Sequence, residues 1–216
     1  MQAGLIPKGE HTYLKKRKID ADTCQFWDYT VSEYKGSTVQ VANYKDKSGA
    51  TIAQKIRLPD KSFKFLGDTK NIPLYGQWLW SSGGKMVTIF EGELDAISGS
   101  QTQGNRYPCV SIPTGAQGAV KAVTQNIEWL LTFDRVNIMF DMDEAGKEAA
   151  LKVAALFPPR KAHIGVLPHK DASDMVMKGL GADLINAMWR AEPYSPAGIV
   201  SGEQLRKRLE DRPDIP

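Results

Sequence analysis

The residues of this 216-residue chain whose types and spacing most directly suggest chemistry are its carboxylates. Glu91, Glu93 and Asp95 follow the apolar run 86–90 (MVTIF), and Asp141, Asp143 and Glu144 follow 136–140 (VNIMF). Asp171 and Asp174 follow 162–167 and the turn Pro168-His169-Lys170. Apolar runs of this length read as buried strands. In open α/β sheets ligands bind beyond the carboxyl ends of the strands, so acidic groups at neighbouring strand ends converge on one place. Asp141 and Asp143 are two residues apart and project to the same side of an extended chain. Carboxylates brought that close repel, and a hard divalent cation with oxygen ligands resolves the repulsion. Acidic residues also cap helices, whose N-termini favour negative charge. Capping accounts for Glu144 and Asp174 better than for Glu91 or the Asp141/Asp143 pair.

The elements that must position these groups alternate. After the strand at 86–90, EGELDAISG is suited to a helix, and residues 109–112 form another short strand. A helix is expected over 116–131, a strand over 136–140, and a helix in DMDEAGKEAALKVAALF, where Ala149, Val153 and Leu156 recur at helical spacing. A fourth strand over 162–167 and a helix over 182–189 complete the series. Alternation with short connections predicts an α/β domain, its parallel sheet flanked by helices on both faces. The first half reads as a smaller mixed α+β subdomain, with a short helix after Asp20. A hairpin there joins the alternating Val39 and Val41 to TIAQKIR (51–57) through Ser48-Gly49. The glycine- and serine-rich stretch 75–84 is a connector, which sets boundaries at 1–84, 85–198 and 199–216.

Charge follows the same division. Residues 1–85 carry 14 Lys and Arg against 8 Asp and Glu, whereas residues 86–198 carry 10 against 13. A basic part beside an acidic part suits a phosphate-rich partner and metal chemistry respectively. With only Cys24 and Cys109, a disulfide framework and a four-cysteine zinc site are excluded, and no zinc is expected in this chain. No apolar run reaches the roughly 18–20 residues of a membrane span, and the first ten residues lack the apolar core of a secretory signal. A reducing, cytoplasmic setting and no membrane partner are expected. A phosphatase built on DMDE is disfavoured, because a strand ending in glutamate precedes it and only 73 residues follow Asp143.

Phe90-Glu91-Gly92-Glu93, with Phe140-Asp141-Met142-Asp143-Glu144-Ala145-Gly146 following 50 residues later, resembles the signature of the Toprim fold. FEGELD, FDMDEAGK, VLPHKDAS, AQKIRLPDKSF and VSGEQLRKRL, in this order, are similar to the primase part of the bifunctional primase–helicase of T-seven-like bacteriophages. The resemblance covers roughly residues 12–210. It implies a DNA primase core that joins ribonucleoside triphosphates on a single-stranded DNA template, with magnesium or manganese. It implies that Glu91 organises metal and acts as general base, and that Asp141, Asp143 and Asp171 hold the metal. Lys55 and Lys61 would act on nucleotide phosphates in catalysis, with Arg57 and Lys64 as further nucleotide- or DNA-binding candidates. Lysine suits that role as a compact point charge. His169 reads as a loop residue, and Trp78 and Trp80 as anchors of the subdomain junction. The implied partners are a zinc-binding module and a helicase domain of the full-length protein, and the replisome DNA polymerase, in the host cytoplasm. Ser201 to Leu209 resembles the family's connector, so 199–216 is expected to lead towards a helicase domain. No GxxxxGK[ST] loop occurs in the chain, and helicase activity is not expected of it. A DNA-cleaving Toprim enzyme and a catalytically silent nucleic-acid-binding module are the rival readings.

Overall fold

The structure, a computed structural model, describes residues 4–7 and 9–195; the expected connector at 199–216 lies outside them. The first half builds helix α1 (Ala21–Phe26) and an antiparallel sheet in the order β1-β2-β3-β4: β1 (Tyr29–Tyr34), β2 (Ser37–Lys45), β3 (Thr51–Arg57) and β4 (Phe63–Gly67). The second half builds β5 (Gly84–Phe90), α2 (Glu93–Thr102), β6 (Cys109–Ser111), α3 (Ala119–Gln125), α4 (Ile127–Leu131) and β7 (Phe133–Met139). It continues with α5 (Glu144–Ala154), β8 (Ala162–Ile164), α6 (Ala172–Met177), α7 (Gly181–Trp189) and β9 (Glu192–Pro193). Its five strands lie in the order β6-β5-β7-β8-β9; all pairings are parallel except the edge pair β8/β9.

The expected parallel sheet with helices on both faces is the architecture observed. Val87, Ile89, Val136 and Ile138 on its central strands are fully buried. Burying each such side chain stabilises by about 1.5–3 kcal/mol. One face packs with α3, α4 and α5 through Val123, Leu130, Ala150 and Val153. The other packs with α2, α6 and α7, and its core continues into the first half through Trp27, Tyr44 and Tyr75. Trp80 Nε1 donates to the Cys109 carbonyl at 2.9 Å, and Trp78 meets Tyr75 edge-on at 5.2 Å, so both tryptophans pack at the junction.

Several elements differ from the sequence reading. The hairpin through Gly49 forms as β2/β3, but β1 and β4 add a strand on each side of it. The β1/β2 turn is Lys35-Gly36, both at positive φ, the backbone that two-residue hairpin turns require. The expected helix over 116–131 is broken between α3 and α4 at Asn126. Its side-chain amide donates to the Ala122 carbonyl at 2.9 Å, competing with the helical ladder. The fourth strand stops at Ile164; the next residue, Gly165, sits so close to Met139 Sδ that any side chain there would collide with it.

Candidate active site

Three strand ends carry the carboxylates to one edge of the parallel sheet. Glu91 is the residue after β5; Asp141 and Asp143 follow β7; Asp171 follows the loop after β8. Glu91 is half-buried, and its Oε1 accepts from the Ala116 N–H at 3.3 Å. Its Oε2 is buried with no hydrogen-bond partner. Burial pushes the Glu91 carboxyl up, opposed by the N–H groups of Ala116 and Asp141, with Asp143 adding repulsion. Asp141 is pushed up to about 7, first by burial and then by the charges of Glu91 and Asp171. Glu91, Asp143 and Asp171 thus all lie near enough to Asp141 to act on its charge, as their strand-end positions require.

Asp143 and Asp171 have a second use. Asp143 caps α5, its Oδ1 accepting from the Gly146 N–H at 2.8 Å. Asp171 caps α6, its Oδ1 accepting from the Asp174 N–H at 2.7 Å. Glu144 and Asp174 sit in the first turns of these helices, where negative charge is favoured, while the capping hydrogen bonds come from Asp143 and Asp171. Glu144 pairs with Lys147 at 3.3 Å, and Asp174 pairs with Lys178 at 2.7 Å. His169 lies beside Lys178, at 3.1 Å, in the loop before α6.

Four residues outside the sequence-derived set belong to this neighbourhood. Asp95 accepts from the Ser173 N–H at 2.8 Å, and burial and the Asp171 charge push its carboxyl well up. Arg17, from the first half, donates to Ser173 Oγ at 3.1 Å. Lys170 Nζ stands 3.8 Å from Asp171 Oδ2, and its charge opposes the rise of Asp141. Asp95 was visible in the first acidic cluster, whereas Arg17 and Ser173 are 156 residues apart and carried no local signal.

An oxygen-only donor set with an unpartnered buried oxygen on Glu91 and mutually repelling neighbours fits a hard divalent cation. Among the described residues no three His, Cys, Asp or Glu side chains form a ready-made metal shell. In the cation-free protein the raised Asp141 pKa has a definite thermodynamic sign. Between its ordinary 3.8 and about 7 the folded state keeps a proton that the unfolded chain releases. Stability from this group is therefore present at low pH and lost as pH rises through about 7. Melting curves without cation should show the midpoint falling across that window, with a shallower fall in Asp141→Asn; equal slopes would contradict the burial of this carboxyl.

The basic candidates divide. Lys61 is exposed at positive φ in the β3/β4 turn, where its N–H donates to the Leu58 carbonyl at 2.9 Å. Lys61 and Arg57 line a cavity of about 300 Å³ together with Lys16 and Arg17. Lys64 is exposed, its ammonium 5.6 Å from the Tyr34 ring. Lys55 is not on that surface: its ammonium donates to both Glu93 oxygens, at 2.9 and 3.0 Å, and to the Pro113 carbonyl at 2.8 Å.

A parallel sheet with Glu91 and the Asp141-x-Asp143 loop on one edge defines a Toprim-type domain, and residues 88–176 match the Toprim-like family. Residues 9–67 match the family described as the N-terminal a+b fold of the bacteriophage T7 DNA helicase/primase. The chain is 36% identical over 203 residues to the DNA helicase/primase of Enterobacteria phage T3, an alignment covering 94% of this chain and 36% of that relative. It therefore spans about a third of that relative's length. The crystal structure of the bacteriophage T7 primase fragment is similar at a TM-score of 0.79 and 34% identity, with 88% of this chain and 83% of that one covered. The primase domain in a complex of the T7 lagging-strand DNA polymerase, bound to an RNA/DNA hybrid and dTTP, matches at 0.81 and 37% identity, covering 86% and 94%. The chain belongs to the primase-domain family of the T7-type phage helicase/primases.

Proposed function

We propose that this chain is a DNA primase core that joins ribonucleoside triphosphates on a single-stranded DNA template. The observation that carries the reading is the convergence of Glu91, Asp141, Asp143 and Asp171 at one sheet edge, in a chain of this family. Residues 1–84 form the basic part that holds nucleotide and template, and residues 85–198 the catalytic part. Glu91, Asp141, Asp143 and Asp171 are the groups that would hold Mg2+ or Mn2+. When bound, such a cation lowers the pKa of an attacking hydroxyl and neutralises leaving phosphate oxygens. The 3′-hydroxyl of one nucleotide attacks the α-phosphate of the next; the new O–P bond forms as the bond to diphosphate breaks. Glu91, a carboxylate of raised pKa with an unpartnered oxygen, takes the hydroxyl proton. Arg57, Lys61 and Lys64 hold phosphates.

The partners follow from the same reading. A separate zinc-binding module reads the template, a helicase domain follows, and the replisome DNA polymerase receives the primer, all in the host cytoplasm. The T7 primase domains found with an RNA/DNA hybrid and the lagging-strand DNA polymerase support the polymerase as a partner, and the DNA helicase/primase of phage T3 supports the helicase domain. Among the described residues no helix is long and apolar enough to cross a membrane.

The test is synthesis of labelled dinucleotides from ribonucleoside triphosphates, with and without Mg2+ or Mn2+ and with and without template, beside a labelled-DNA nicking assay. Joining that depends on both cation and template is expected; nicking without joining would overturn the reading. Lys61→Ala and Arg57→Ala should each weaken template binding and lower the slope of log affinity against log salt by roughly 0.7, the value for one single-strand phosphate contact. Unchanged binding and slope would make both residues bystanders.

A further inference from the structure

Lys55 and Glu93 form a buried ion pair across the boundary between the two halves, their side chains 11% and 8% exposed. An ammonium has three protons, and here three oxygens receive them: both Glu93 oxygens and the Pro113 carbonyl. The Tyr44 hydroxyl donates to the same carboxylate, and the Phe63 ring lies 4.7 Å from the ammonium. This geometry leaves no proton of Lys55 for a phosphate.

Both partners of Lys55 lead directly to Glu91. Glu93 is two residues beyond it and opens α2. Pro113 is three residues before Ala116, whose N–H donates to Glu91 Oε1. The loop also runs close to the carboxylate, since a Cβ placed on Gly115 would lie 3.7 Å from Oε1. One ammonium on β3 therefore ties down both backbone segments that flank the proposed general base.

We propose that Lys55 is a positioning residue for Glu91, acting through Glu93 and the Pro113–Ala116 loop rather than on nucleotide phosphate. The proposal rests on the reading of Glu91 as the reacting carboxylate. Removing Lys55 leaves Glu93 as a buried charge without its counter-ion, a state that proteins avoid by rearranging. Weakening Glu93 loosens Lys55 and, with it, the hold on Pro113. Either change shifts Glu91, and a displacement of about 1 Å at a reacting group costs roughly a hundredfold in rate. Because both side chains act through one clasp, their losses do not add.

The experiment compares wild type, Lys55→Met, Glu93→Gln and the double variant. It measures kcat and KM for dinucleotide synthesis, the Kd of a fluorescent ribonucleoside triphosphate, and amide exchange of Ala116. Each single variant is expected to lower kcat at least tenfold, leave KM and Kd within about twofold, and speed Ala116 exchange. The double variant should be no worse than the poorer single. The proposal is overturned if Lys55→Met raises Kd and KM tenfold while Glu93→Gln keeps wild-type kcat, which is the pattern of a phosphate ligand. Unaltered Ala116 exchange in both singles overturns it as well. That arm needs no turnover, so a wild-type chain that fails to join nucleotides would refute the primase reading separately. Should Lys55→Met not fold, Glu93→Gln decides alone, because its amide keeps the shape and an acceptor for Tyr44.

Discussion

Asp141→Asn and Asp143→Asn are each expected to lower dinucleotide synthesis by about a hundredfold or more, with the fold intact. An amide keeps the size of the carboxyl but removes the negative charge that holds a hard cation. The two variants differ instructively in stability. Asp141 is crowded by Glu91 and Asp171 and pushed up to about 7, so its neutral amide relieves repulsion and should leave the cation-free protein at least as stable near neutral pH. Asp143 also caps α5 through the Gly146 N–H. Asparagine caps about as well as aspartate, so Asp143→Asn should melt with wild type, whereas Asp143→Ala should lose about 1 kcal/mol. Glu148→Gln, on the exposed face of the same helix, where Glu148 pairs with Lys152 at 2.7 Å, is the control and should retain full activity. Activity assays at saturating Mg2+ with parallel melting curves test all four. Wild-type synthesis by both Asn variants would remove these carboxylates from the site.

How much of this was legible in the sequence depends on how far each relation reaches along the chain. Glu91, Asp141 and Asp171 could be placed because a carboxylate that follows an apolar strand in a parallel sheet must lie at its carboxyl edge, whatever the rest of the fold does. The hairpin through Ser48-Gly49 was equally local. The β1/β2 turn was not recognised because Lys35 occupies a left-handed position that lysine seldom takes, so Lys35-Gly36 gives a weaker signal than Asn-Gly. The break at Asn126 was hidden for another reason: its cause is a side-chain bond to Ala122, inside a segment whose apolar spacing is otherwise helical. The buried contacts of Lys55 lay furthest from view. Thirty-eight residues separate it from Glu93 and 58 from Pro113, and only the packing of β3 against the start of α2 and the loop after β6 brings them together.

Gly146→Ala should damage the enzyme almost as severely as loss of a carboxylate, although it adds one methyl group and removes no charge. Gly146 lies in the first turn of α5, and a Cβ there would press on the Asp141 carbonyl oxygen, with the carbonyl carbon 3.0 Å and the amide nitrogen 3.1 Å away. All three atoms are backbone, so no side chain can swing aside. The strain must move either the start of α5 or the 141–143 loop. Moving the helix weakens the bond from the Gly146 N–H to Asp143; moving the loop displaces Asp141 from Glu91. Overpacking of this kind costs about 1–3 kcal/mol, and a shift of about 1 Å in a reacting group costs roughly a hundredfold in rate. The expected outcome is a lowered melting point together with a collapse of kcat, while template binding stays near wild type because the surface proposed to hold it, with Lys61 and Arg57, belongs to the other sheet. Ala145→Ser, one residue earlier and exposed, should be silent in all three measurements. A Gly146→Ala protein that melts and turns over like wild type would mean that the loop carrying Asp141 and Asp143 is not packed against the first turn of α5 as described.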